Sequence, residues 1–565
     1  MEKFSQIDYI IFLIYFIVVA GYGYWIYRRK NNANATSNDY FLAEGSLTWW
    51  AIGASLIASN ISAEQFIGMS GNGFTVGIAV AAYEWIAALA LIIVAVWFIP
   101  VYLKNKIFTM PQFLNNRYNE TTSLIMAVFW LFLYIFVNLT SILFLGALAI
   151  NNLAGGGSFH AIVLALSLFA VVITLGGMRV IGFTDVIQVL VLIIGGVATT
   201  YVALTLVSEH FGLGKDVIAG FNQMLKDSPE HFKMIIDKPT NSSTQDEINS
   251  YLMLPGLGMY MAGIWIVNLN YWGCNQYITQ RALGADLKTA RTGILFAGFL
   301  KLFMPVIVML PGIAAYVLYK NGALQQEMAP GGHFNPDNAY SAILGFLPNG
   351  MKGLSLAALT AAIVASLAGK ANSIATIFTM DIYKKYINKS ASEKNLVNTG
   401  KLTVIIAIIA SIIFTWDDML GIGGEGGFTF IQKYTGFISP GVLAMFLLGM
   451  FWKRTTGAAA IAGLIMGFVL SVVFNNYAPD WFGHDTWLYT AYPNGRGGYE
   501  IPFQICMGLA FLFTVLIMVA MSLAGPKINP KAFALDTKLF KVEPAILVMI
   551  VITILLVSAL YVRFW

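Results

Sequence analysis

Ser59, Asn60, Ser62, Glu64 and Gln65 crowd into seven residues of an otherwise apolar stretch, with Trp49 to Ile57 before them and Phe66 to Met69 after. A helix facing lipid has no use for such a cluster. An ionisable group at mid-membrane depth costs about 2.5–3.5 kcal/mol on insertion scales, so it faces a partner or a wet cavity. A helix broken at that depth offers free carbonyls to a cation and side chains to a substrate. A second polar interruption, Asn268-Leu269-Asn270-Tyr271-Trp272-Gly273-Cys274-Asn275-Gln276, lies in a later apolar segment. Glu64, Glu84, Asp185, Lys301 and Lys370 are the ionisable residues inside apolar runs, joined by Gln65, Asn138, Asn268, Tyr271, Ser366 and Gln432. Carboxylates, amides and an ammonium together suit a polyhydroxylated ligand, because each hydroxyl both donates and accepts. The plain alternative for any one of them is a polar bond that glues two helices together.

The elements that must position these residues follow from composition. The chain has 565 residues, 58% hydrophobic and 11% charged, with mean hydropathy +0.72. That excludes a soluble globular protein of this size and predicts an all-α polytopic membrane protein. Fourteen segments are long enough to span, among them 48–71, 76–101, 159–178, 253–282, 350–383 and 424–452. Arg28, Arg29 and Lys30 follow the first span, so its amino terminus is expected outside. Lys104, Lys106, Arg179, Arg281, Lys288, Lys384, Lys385, Lys453, Arg454, Lys527 and Lys531 then fall on the inner side, and an even span count returns the carboxyl terminus to the outside. The net charge of +5 is dispersed and marks no nucleic-acid surface. Cys274 and Cys506 lie within spans as small core residues. The five histidines map to outer loops, which argues against a metal centre, and no nucleophile and base cluster as an enzyme would need. Gly155 to Gly157 and Gly421 to Gly427 read as connectors.

The two interrupted helices are the second and seventh spans and point in opposite directions, which suggests an inverted repeat of five plus five helices. The organisation expected is an amino-terminal helix and linker (1–47), a first repeat (48–206), an outer loop (207–252), a second repeat (253–454) and three peripheral helices (455–565).

Four motifs carry a resemblance. Ala58-Ser59-Asn60-Ile61-Ser62-Ala63-Glu64-Gln65-Phe66-Ile67-Gly68, Tyr83-Glu84-Trp85, Asn275-Gln276-Tyr277 and Ile377-Phe378-Thr379-Met380-Asp381-Ile382-Tyr383 resemble the solute:sodium symporter family, in its sodium/glucose branch and nearest its bacterial sodium/galactose members. The likeness runs from about residue 8 to residue 454. It implies a leucine-transporter-type core of two inverted five-helix repeats within fourteen helices. It also implies a sugar site at Asn60, Gln65, Glu84, Asn268, Lys301 and Gln432. Tyr271 would be the inner gate, with Met69, Tyr83 and Phe428 closing the outer side. The implied sodium site uses the carbonyls of Ala58, Ile61 and Ala362 and the hydroxyl of Ser366. Asp185 would stand near the inner exit from that site. The expected ligands and partners are therefore a small sugar, sodium and the lipid bilayer of a bacterial inner membrane, with no nucleic acid and no required protein partner.

Three departures from the family pattern qualify this reading. Ala87 stands where a sugar-contacting serine is usual, and Ala365 where the first of two sodium-site serines is usual. Lys370 stands where an uncharged residue is usual, four residues beyond Ser366 and so one turn along the same helix face. Its ammonium is expected either to pair with Asp185 or to snorkel towards Asp381 and Lys384. If it replaces the cation, the alternative is a sodium-independent or proton-coupled sugar carrier. A sugar sensor that transports little is the reading from another class.

Overall fold

The computed structural model describes every residue except 1–4, 30–35, 44, 63, 154–157, 330–331, 333, 423–431 and 434. In chain order the helices that matter are α1 (Gln6–Arg29), α2 (Trp49–Asn60), α3 (Ser70–Val76) and α4 (Ala82–Ile93). Then come α5 (Glu120–Leu153), α6 (Phe159–Thr174), α7 (Gly177–His210), α8 (Gly263–Cys274), α9 (Gln276–Leu283) and α10 (Leu287–Lys301). They are followed by α11 (Met304–Lys320), α12 (Met351–Ile377), α13 (Glu393–Trp416), α14 (Ser439–Phe451), α15 (Gly457–Asn476), α16 (Phe503–Leu523) and α17 (Pro544–Phe564). A two-residue hairpin pairs Tyr492–Pro493 with Tyr499–Glu500.

Among the described residues, nine helices are long and apolar enough to cross a membrane, or eleven if each of two bent pairs is one span. The shortfall from fourteen has a physical origin. α6 and α14 are apolar but only 16 and 13 residues long. The stretch Glu64–Lys104 passes as a single span of 41 residues, although the chain turns at Gly77, whose φ is +82°. The expected connectors at 155–157 and 423–427 lie outside the described residues, as does His333.

The chain forms two compact units, each discontinuous in sequence. The first takes residues 1–78, 126–232 and 276–428. Its centre is α12, which is rich in alanine, glycine and serine and packs against α7, α6, α1 and α2. Small residues let backbones approach closely where lipid gives no hydrophobic drive between helices. A Cβ added to Gly195 of α7 would stand 2.7 Å from the Ala358 Cβ of α12. The amino terminus of α12 is capped from another helix: the buried Asp8 carboxylate of α1 accepts from the Gly350 and Gly353 amides at 2.7 and 2.8 Å. Such caps satisfy orphan amide donors and complement the helix dipole.

In the same unit, the loop after α7 returns to α3. His231 stacks on Tyr316 of α11 with ring centroids 3.8 Å apart and donates through Nε2 to the Phe74 carbonyl at 2.9 Å. Only glycine fits at residue 77, because a Cβ there would lie 2.3 Å from the His231 carbonyl oxygen. Burial holds the imidazole below the ordinary histidine range, against the opposing pull of the Phe74 carbonyl and Glu230; Lys320 adds to the lowering. The unfolded chain binds this proton near pH 6.5 and the folded loop does not. Stability is therefore full above that pH and is lost as the pH falls through it. The thermal midpoint should drop between about pH 7 and pH 5, and drop less in His231→Gln. The same pH dependence in both proteins would contradict the assignment.

The second unit takes residues 79–125, 233–275 and 429–565. There α8 packs against α4, α14 and α16, and α15 against α16. Arg117 ties it internally, donating to the Gly449, Trp452 and Thr455 carbonyls at 2.6, 3.0 and 3.0 Å. Both cysteines are buried and free.

Candidate functional site

α2 stops at Asn60 because the chain turns extended at Ile61, with φ −81° and ψ 102°. Helical structure resumes as a π-turn over Glu64–Met69. The last carbonyls of a helix have no partner within it, and its dipole makes that end attractive to cations. Ser366 of α12 stands against this end, donating to the Ser59 carbonyl at 2.9 Å and reaching the Ala58 carbonyl at 3.5 Å. Ala58, Ile61, Ala362 and Ser366 are all buried. Carbonyl and hydroxyl oxygens without a carboxylate are a hard, uncharged donor set, suited to a monovalent alkali cation.

Lys301 ends α10, where the chain bends by 44° into α11. Its ammonium is 1% exposed and donates to the Asn60 Oδ1. Gln65 and Met69 follow the break and are buried. These four residues belong to the first unit. Glu84, Asn268, Tyr83, Tyr271 and Gln432 belong to the second. There Glu84 and Asn268 are buried and Gln432 is half-buried. The Asn268 amide donates to the Ile264 carbonyl at 2.9 Å. The Tyr83 hydroxyl accepts from Gln504 at 2.8 Å, and Tyr271 meets Trp272 edge-to-face at 5.0 Å. Phe428 lies outside the described residues.

The partner expected for Asp185 is corrected. Asp185 accepts from Ser55 and faces the Arg281 guanidinium at 3.8 Å, both charges 1% exposed. Arg281 lies within α9 and is buried there. Its Nε donates to the Ser55 Oγ at 2.7 Å, and its terminal nitrogens donate to the Tyr277 carbonyl and the Ser59 Oγ. The amphipathic spacing of Tyr277 and Arg281, four apart on one face, was the signal available.

Lys370 neither pairs with Asp185 nor snorkels. It is buried, its ammonium lies 5.1 Å from the Tyr277 ring centroid, and the charge acting on it is that of Glu64. Asp381 pairs instead with Lys385 at 2.9 Å. Glu64 accepts from Ser62 at 3.3 Å, and its Oε1 has no hydrogen-bond partner among the described residues. The face of an aromatic ring is one place where a lysine is kept in a low-dielectric interior.

Gly369 makes room for Arg281, because a Cβ there would stand 2.4 Å from its terminal nitrogen and 2.9 Å from the Ser59 Oγ. Gly369→Ala should therefore push the guanidinium off the Ser59 hydroxyl and cost about 1–3 kcal/mol, read as a lower thermal midpoint in detergent. An unchanged midpoint would place the guanidinium elsewhere.

Residues 40–467 match the family described as SSF: Sodium:solute symporter family. A sodium/glucose cotransporter of Vibrio parahaemolyticus is 42% identical over 99% of this chain and 98% of its own. The human sodium/myo-inositol cotransporter 2 is 32% identical over 82% of this chain and 69% of its own. A solved structure of a Na+-coupled sialic acid symporter, substrate-bound and outward-open, superposes with a TM-score of 0.75 at 20% identity, covering 93% of this chain and all of that one. At that identity the likeness speaks for the fold.

Proposed function

We propose that this chain, which belongs to the sodium:solute symporter family, imports a neutral hexose or a cyclitol together with sodium. It is a secondary active transporter working by alternating access, an integral multi-pass membrane protein and not an enzyme. The observation that carries the sugar and sodium assignment is the meeting of two kinds of donor at adjacent residues of one helix end. Ser366 stands against the Ser59 carbonyl, and Lys301 holds the Asn60 side chain.

Sodium bound by the Ala58, Ile61 and Ala362 carbonyls and the Ser366 hydroxyl fixes the end of α2. That in turn fixes Asn60 for the sugar, so each ligand raises the affinity of the other by linkage. The sugar is recognised by Asn60, Gln65, Glu84, Asn268, Lys301 and Gln432, with Tyr271 as inner gate and Met69, Tyr83 and Phe428 as outer gate. Loss of sodium inside, past Asp185, loosens the site and releases the sugar. Lys370 stays over the Tyr277 ring and leaves the Ser366 hydroxyl to the ion. At −100 mV one sodium contributes about 2.3 kcal/mol and a tenfold gradient about 1.4 kcal/mol more. Together these sustain a sugar ratio of several hundredfold, on the order of 10^2.7.

The proposed frame is fourteen spans, with 48–206 and 253–454 as inverted repeats, flanked by 1–47, 207–252 and 455–565, in a bacterial inner membrane with both termini outside. The turn at Gly77, between spans 48–71 and 76–101, supports that count, and the breaks at Asn60 and at the extended Asn275, each inside one span, support the pair of inverted repeats. Ala87, buried in α4, removes one hydroxyl contact relative to the galactose-transporting pattern and widens tolerance at that sugar position. Competition against galactose counterflow in proteoliposomes tests the substrate class. Glucose, galactose or myo-inositol should compete, whereas competition by sialic acid or amino acids alone would overturn it.

A further inference from the structure

The buried Arg281 has no role in the transport scheme above, yet its contacts reach the proposed ion site through one residue. Ser59 presents two oxygens to two different partners: its carbonyl takes the Ser366 hydroxyl at 2.9 Å, and its Oγ takes the Arg281 guanidinium. Ser55, one turn earlier on the same face of α2, accepts from Arg281 Nε at 2.7 Å and donates to Asp185. Gly369, three residues after Ser366 on α12, leaves the space the guanidinium fills. The second Asp185 oxygen, Oδ1, is buried with no hydrogen-bond partner among the described residues. Arg281 itself rides on α9, which starts just beyond the extended Asn275.

We propose that Arg281 is a positioning residue that couples occupancy of the sodium site to closure of α9. It does so by gripping the last two turns of α2 through Ser55 and Ser59 while Asp185 balances its charge. The inference rests on the sodium site proposed above. With sodium on the Ala58 and Ile61 carbonyls, the end of α2 is fixed and both serine hydroxyls stand in register for the guanidinium, one helical turn apart. When sodium leaves, the end of α2 relaxes, Ser59 no longer meets Arg281, and α9 is released. The open oxygen of Asp185 then offers the departing cation a first stop. Because linkage is reciprocal, the grip of Arg281 raises the affinity for sodium and not the intrinsic affinity for sugar.

The test is a pair of titrations in proteoliposomes, sodium at fixed sugar and sugar at saturating sodium. Arg281→Lys, which keeps the charge and loses the fork, should raise the sodium concentration for half-maximal uptake by about 5- to 150-fold, the usual span of a coupling. Half-saturation by sugar at saturating sodium should not move. Ser59→Ala keeps the backbone carbonyl and deletes only the gripped hydroxyl, so it should give a smaller shift of the same kind, about fivefold. It also decides the matter if Arg281→Lys does not reach the membrane. In Asp185→Asn/Arg281→Gln charge balance is restored but the grip is lost, so sodium dependence should stay shifted. Wild-type sodium half-saturation in Ser59→Ala, or its recovery in the double variant, would overturn the proposal by reducing Arg281 to a counter-charge. Ser366→Ala serves as the control. If it leaves sodium dependence intact, the proposed ion site is wrong, whatever Arg281 does.

Discussion

Lys301→Ala should reduce sugar uptake by about 100-fold or more while leaving the protein folded in the membrane. Lys301 is buried at the end of α10 and its ammonium holds the Asn60 side chain at the break in α2. A hydrogen bond involving a charged group is worth about 1.5–3 kcal/mol. Under the proposed function Lys301 makes one such bond to Asn60 and a second to a sugar hydroxyl. Losing both costs roughly 3–6 kcal/mol on that basis, well over a hundredfold at 1.4 kcal/mol per decade. Lys301→Arg should not rescue it, because a planar fork cannot replace a point ammonium in so small a space. Uptake in Lys301→Ala within a few fold of wild type would remove Lys301 from the sugar site.

The second large effect is expected at Ser366. Ser366→Ala should raise the sodium concentration for half-maximal uptake by at least tenfold, and the maximal rate at saturating sodium should fall less. Ala365 already stands beside it where the family pattern has a second serine, so the Ser366 hydroxyl is the side-chain oxygen of the proposed set, the others being carbonyls. Removing one ligand in a buried, charge-bearing site costs on the order of 1.5–3 kcal/mol, which is about 10- to 150-fold. The complementary change, Ala365→Ser, should lower the sodium requirement. Sodium titration of initial uptake rates reads both. An unchanged titration in Ser366→Ala would detach α12 from the ion site.

The break in α2 was legible because five polar residues within an apolar span have few other uses. Lys301 was legible for the same reason, an ammonium that lipid cannot solvate. Arg281 was not. It stands just past an apolar run and so looks like an ordinary loop arginine, and only the fold reveals that α9 turns inward. The Asp185 partner was misread for a related cause. Spacing correctly placed Lys370 one turn beyond Ser366, but spacing within one helix says nothing of which neighbour reaches which carboxylate. Gly369 decides that, by leaving room for a guanidinium from α9. The span count was blurred where helices are short, as in α6 and α14, or where a single glycine turn separates two of them, as at Gly77. Span 350–383 overlaps α12, a helix rich in small and apolar residues although Lys352, Lys370 and Asn372 lie within it.

The most direct measurement is radiolabelled hexose uptake into proteoliposomes under an inward sodium gradient, an inward proton gradient and no gradient. Accumulation above equilibrium with the sodium gradient alone is the predicted result. Equilibration of sugar without sodium, or accumulation driven by protons, would contradict the account and return Lys370 and Ala365 to the centre of the ion question.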